Sequence, residues 1–165
     1  MLKIATLLFI ITTPITLWAQ ENHLMTIQSQ SKVNNISSKL VSNEIARIEI
    51  LQYPLNILTR TRITPEMLEK QFYFKIIIRN VKNFQNKEEF IETIKSIKVK
   101  DKSEMPDIRW GVIFYDLDDN RICTLYFNAK GNYGAVDSSP VSFSGKFFEW
   151  IDKKFSEIFR KIYLL

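Results

Sequence analysis

The side chains best placed to do chemistry lie in the stretch FYDLDDNRICTLYF, where Asp116, Asp118 and Asp119 fall within four residues and Asn120 follows. Three acids this close suggest a calcium loop or an acid pair. A helix-loop-helix calcium site needs oxygen ligands at positions one, three and five, Gly at six and Glu at twelve. Counting from Asp116 supplies Asp118 and Asn120 but puts Arg121 at six and Phe127 at twelve, so the metal reading fails.

A hairpin explains the stretch better. Two runs rich in aromatic and β-branched residues, DIRWGVIFYD and RICTLYFN, flank the acids. With a short loop at Asp118 and Asp119, the register pairs Asp116 with Arg121, Phe114 with Cys123, Val112 with Leu125 and Trp110 with Phe127. One face is then wholly apolar. The other carries Arg109, Ile113, Tyr115, Ile122 and Tyr126, a mixture of Tyr, Arg and aliphatics typical of interface centres, and these five are the expected partner-binding residues.

The rest of the chemical inventory is thin. His23 is the only histidine and Cys123 the only cysteine, which deprives triad, dyad and zinc chemistry of their usual groups. Cys123, between apolar neighbours, reads as a small core residue. KGNYGAVD lacks the spacing of a phosphate loop and reads as a turn. No catalytic residue, metal or cofactor is assigned.

These residues must be positioned by the elements around them. The chain opens with Lys3, an apolar run from Ile4 to Ile11 and Ala19, the plan of a secretory signal cleaved after Ala19. Removing residues 1–19 leaves 22 basic against 18 acidic side chains, a mild excess that does not point to nucleic acid. Residues 20–43 are rich in Ser, Asn and Gln and read as a flexible polar leader. From residue 44 the pattern is that of one domain. Strands are expected near Ala46 to Tyr53, Phe72 to Asn80 and Tyr133 to Val136, besides the two of the hairpin. A short helix begins at Thr64-Pro65, and a second one carries Phe90, Ile91, Ile94 and Ile97. Lys98, Lys100 and Lys102 alternate in a loop or a lysine-guarded edge. Phe147, Phe148, Ile151, Phe155, Ile158, Phe159 and Ile162 mark a long C-terminal amphipathic helix.

The fold expected is α+β: an antiparallel sheet of four to five strands, with the hairpin at its centre and the C-terminal helix packed on one face. The function expected is that of a periplasmic or secreted, non-enzymatic module that binds a protein of the cell envelope, of inhibitor or immunity type, without nucleic acid and without a membrane span after cleavage. A glycan- or peptidoglycan-directed hydrolase or binder using Asp116, Asp118, Asp119 or Asp137 is the first alternative, and a membrane-associated envelope component the second.

Overall fold

The computed structural model describes residues 13–163, with side chains from Leu24 to Phe155 and that of Ile158. The apolar run Ile4 to Ile11 lies outside the described residues.

In chain order the elements are α1 (Thr13–Val41), β1 (Ile45–Gln52), α2 (Pro65–Gln71), β2 (Phe74–Ile78), a 3-10 turn (Val81–Asn83), α3 (Lys87–Lys95), β3 (Lys98–Asp101), β4 (Trp110–Asp116), β5 (Arg121–Phe127), β6 (Tyr133–Val136), β7 (Ser139–Ser144) and α4 (Phe147–Tyr163). The protein is α+β, with seven strands in one sheet of order β2-β1-β4-β5-β6-β7-β3 and every pairing antiparallel. The β4–β5 hairpin is central, and its partners are Trp110/Phe127, Val112/Leu125 and Phe114/Cys123. The two strands beyond the expected five are β3 and β7. Pro140 obscures β7: it lies opposite Lys102, one residue past the end of β3, where its carbonyl accepts Lys102 N–H at 3.1 Å and, lacking an N–H of its own, it closes the ladder.

Residues 20–43 are corrected from flexible leader to structure. They belong mostly to α1, and Val33, Ile36 and Leu40, spaced by three and four residues, are fully buried in the main core. Asn43 adopts a left-handed conformation (φ 61°) while Glu44 N–H bonds back to Lys39 O at 2.8 Å, which ends the helix in a Schellman-type turn. The packed unit therefore begins well before residue 44.

One sheet face carries Ile48, Ile50, Trp110, Val112, Phe114, Cys123, Leu125 and Phe127, and α1, α3 and α4 cover it. Phe90 joins these layers, its ring centroid 5.1 Å from Trp150 and 5.7 Å from Phe147. A single long C-terminal helix does not do this covering. The docked part of α4 runs from Phe147 to Phe155, whereas Ile158 is 44% exposed.

The helix expected to begin at Thr64-Pro65 is α2, and Thr64 caps it: Thr64 Oγ1 accepts from Met67 N–H at 3.3 Å, and Pro65 needs no partner at the first helical position. At α3, Asn86 adopts a left-handed conformation and makes no side-chain cap.

Candidate functional site

The second face of the hairpin holds the five residues expected to meet a partner. Arg109, Ile113 and Tyr126 are buried there, beneath α2 and the loops before α2 and before β4, in a smaller core with Leu51, Ile63, Leu68, Ile108 and Ala135. The exposed surface expected at these three positions is thus replaced by packing. Gly111 makes the close approach of α2 feasible, since a Cβ there would lie 3.2 Å from Leu68 Cδ2. Arg109 pins a loop, bonding Asp107 Oδ2 at 2.8 Å through Nε and the carbonyls of Pro54 and Ile57 at 3.1 and 3.0 Å through Nη1.

Tyr115 is half-buried. Ile122 has moved to the main core, because a β-bulge between Phe114 and Tyr115 pairs Tyr115 with Arg121 and leaves Ile122 as the extra residue. The bulge also dissolves the expected Asp116–Arg121 pair. Asp116 Oδ1 accepts from Asp118 N–H at 3.0 Å and Asn120 N–H at 2.8 Å, while Asp119 takes the left-handed position (φ 63°). The acids of the opening motif therefore build a turn. Among the described residues no group of three or more His, Cys, Asp or Glu is placed to hold a metal ion. Cys123 is buried in the core, and burial pushes its thiol pKa well up, with the negative charge of Asp137 adding to the shift.

What remains open on this face is charged. Glu49, 6% exposed, lies between Arg47 and Lys75, whose Nζ is 2.8 Å away. Arg47 bonds Asp119 Oδ1 through Nη2 at 2.6 Å and stacks its guanidinium 3.6 Å from the Tyr115 ring centroid. Desolvation acts to lower the Arg47 pKa, and its carboxylate partners more than reverse that.

Beside this ladder a cleft opens between α2 and the β5–β6 end, lined by Glu66, Glu69, Arg121, Thr124, Tyr126 and Asp137. Glu69 Oε1 accepts from the Tyr126 hydroxyl and from Arg121 Nη2 at 2.8 Å. Asp137 accepts Thr124 N–H at 2.8 Å and Lys32 Nζ at 2.5 Å. Burial raises the Tyr126 pKa strongly and the Glu69 carboxylate adds to the shift.

The two sheet edges differ. Along an antiparallel strand, backbone groups alternate between the two neighbours. Asp137 N–H bonds Thr124 O and Asn128 N–H bonds Tyr133 O, so even-numbered β5 residues serve β6 and odd ones serve β4. Carrying this alternation through the registers points the backbone groups of Lys75 and Ile77 away from β1 at one edge, and those of Val99 and Asp101 away from β7 at the other. The β3 edge is sealed by α1: Val99 N–H bonds Gln30 Oε1 at 3.1 Å and Asp101 N–H bonds Thr26 Oγ1 at 3.2 Å. The β2 edge has no such seal among the described residues, and Phe72, Tyr73 and Ile77 are exposed along it.

Sequence reasoning missed this contrast. The only visible signal was the lysine alternation at β3, which marks one edge without showing what covers it. No helix among the described residues is long and apolar enough to cross a membrane. Comparison of the chain with protein-family models, with curated proteins and with solved structures finds no match.

Proposed function

We propose that this protein is a small exported module that binds a protein of the cell envelope, in the manner of an inhibitor or immunity protein, by accepting an extended partner segment as an eighth strand against β2. The unsealed β2 edge carries this reading. Natural sheets cover or blunt their edges, and the same molecule does so at β3 with Thr26 and Gln30. At β2 the one lysine is drawn down onto Glu49, which leaves the row of backbone groups clear. Strand addition draws affinity from main-chain hydrogen bonds and specificity from flanking side chains. Tyr73 and Phe72 supply an exposed aromatic flank, Tyr73 braced edge-on against Tyr53 at 5.3 Å.

Export rests on Lys3, the apolar run and Ala19. Cleavage after Ala19 keeps Thr26, Gln30 and the buried stripe of α1 in the mature chain.

The test is affinity capture from envelope extract with the mature chain and with Ile77→Pro. The Ile77 N–H faces outward, so proline removes a donor to the incoming strand and none from the β1 ladder. The substituted protein is expected to stay folded and to lose the captured species at least tenfold. Capture at the wild-type yield by folded Ile77→Pro overturns the proposal.

A further inference from the structure

The side chains along the β2 edge define what kind of segment fits beside it. Strand residues alternate between the two faces of a sheet. Phe74, Ile76 and Ile78 point to the main-core side, where they pack against that core while staying half-buried. Lys75 and Ile77 point to the other side, opposite Leu51 and Glu49 of β1. Arg79 follows them there, in the wall of a recess of about 490 Å³ that it shares with Ala46, Arg47, Glu49, Ile77 and Asp119.

The charges around this recess are unequal. With Lys75 included, three cations, Arg47, Lys75 and Arg79, face two carboxylates, Glu49 and Asp119. Glu49 is held by Arg47 through Oε1 and by Lys75 through Oε2, and Arg47 also holds Asp119. Because Glu49 is buried, neither of its cations can turn to a newcomer without leaving that carboxylate short of a partner. Arg79 is exposed and makes no hydrogen bond or ion pair with any described group, so it is the cation in excess.

Given strand addition at β2, we propose that the segment accepted there is acidic: an antiparallel strand of a partner protein, with a carboxylate opposite Arg79 and apolar residues opposite Ile78, Ile76 and Phe74. The direction follows the sheet, in which every pairing is antiparallel. Residues directly opposite one another share a face, so the carboxylate meets Arg79 at the recess while the apolar set extends the main core by one strand. A guanidinium takes a carboxylate through two parallel hydrogen bonds. A second copy of this chain fits less well, since it would bring its own Lys75 and Arg79 to an edge already in cationic excess.

The probe is a capped peptide, Gly-Asp-Val-Thr-Ile-Thr-Val-Thr-Gly, which places Asp opposite Arg79 and its three apolar residues opposite Ile78, Ile76 and Phe74. It is titrated into the isotopically labelled protein beside two others, one with Lys in place of Asp and one with Ser in place of the three apolar residues. The Asp peptide is expected to shift the amides of Lys75, Ile77 and Arg79 saturably and to bind Ile77→Pro at least tenfold more weakly. The Lys peptide is expected to bind the parent about fivefold more weakly than the Asp peptide, with the order reversed on Arg79→Glu, an exposed change that leaves the fold intact. The Ser peptide is expected to bind at least tenfold more weakly. Equal binding of the Asp and Lys peptides, or an order that Arg79→Glu leaves unchanged, overturns the acidic assignment and, where Ile77→Pro still weakens both, leaves strand addition standing. Undiminished binding of the Ser peptide overturns the apolar half of the pattern and with it the assignment. No saturable binding of the Asp peptide overturns the assignment, and strand addition is then judged by the Ile77→Pro capture alone. Asp-peptide binding that Ile77→Pro does not weaken overturns both. Slow exchange at Lys75 and Ile77 that grows with protein concentration in the absence of peptide gives the edge to a second copy and also overturns the assignment.

Discussion

Replacing Ile36 with alanine tests whether the polar-looking segment before β1 belongs to the folded unit. Ile36 is fully buried and shares the main core with Val33, Leu40 and strand residues from β1 to β7. Truncation removes three carbons from a site walled by both helix and sheet, where Ile→Ala changes cost about 2 to 5 kcal/mol. For a domain of this length a loss of about 3 kcal/mol lowers Tm by about 6 to 12 °C. Val41→Ala is the control, because Val41 is 58% exposed and its loss should stay within about 0.5 kcal/mol. Urea unfolding of both variants, followed by far-UV circular dichroism, measures the difference. Equal midpoints for Ile36→Ala and Val41→Ala would refute the docking of α1 and return residues 20–43 to a loose leader.

Three further outcomes follow from the packing and the buried titratable groups. Gly134→Ala should fail to fold or lose more than about 3 kcal/mol, since its Cβ would meet the Tyr126 carbonyl oxygen at 1.7 Å; a parent-like melting curve would contradict the β5–β6 pairing. The Cys123 thiol should react with iodoacetamide at pH 8 only as fast as the protein unfolds, and a rate within tenfold of a free thiol would show that the core is open there. Tyr126 keeps its proton in the folded state well above the value near 10 of an unfolded chain. Stability should therefore fall as pH rises above about 10, more steeply for the parent than for Tyr126→Phe, and identical slopes would refute the buried phenol.

The central hairpin was legible because its apolar alternation leaves one register that buries a whole face, and Phe114/Cys123 and Val112/Leu125 pair accordingly. The bulge at Ile122 was not, since a one-residue slip at a turn leaves the composition unchanged while sending Ile122 to the other face. Three buried residues in α1 were hidden among Ser, Asn and Gln, whose low mean hydropathy masks a narrow stripe; the i, i+3, i+7 spacing of Val33, Ile36 and Leu40 and the Asn43 stop were the readable traces. At the candidate site, Tyr and Arg on one strand face look alike whether they meet a partner or a covering loop. Only the placement of α2 and of residues 53–63 distinguishes them, and Gly111 was the local hint. Nothing in the sequence announced Gln30 and Thr26 as the seal of a strand 69 to 75 residues away.

The most direct test of strand addition is amide hydrogen exchange at Lys75 and Ile77 with and without the captured partner. Free protein should exchange both amides rapidly while Ile76, whose groups face β1, stays protected. Bound partner should slow Lys75 and Ile77 at least a hundredfold and leave Val99 and Asp101, already sealed by α1, unchanged. Protection of Lys75 and Ile77 in the free protein, or their continued rapid exchange in the complex, would contradict the account.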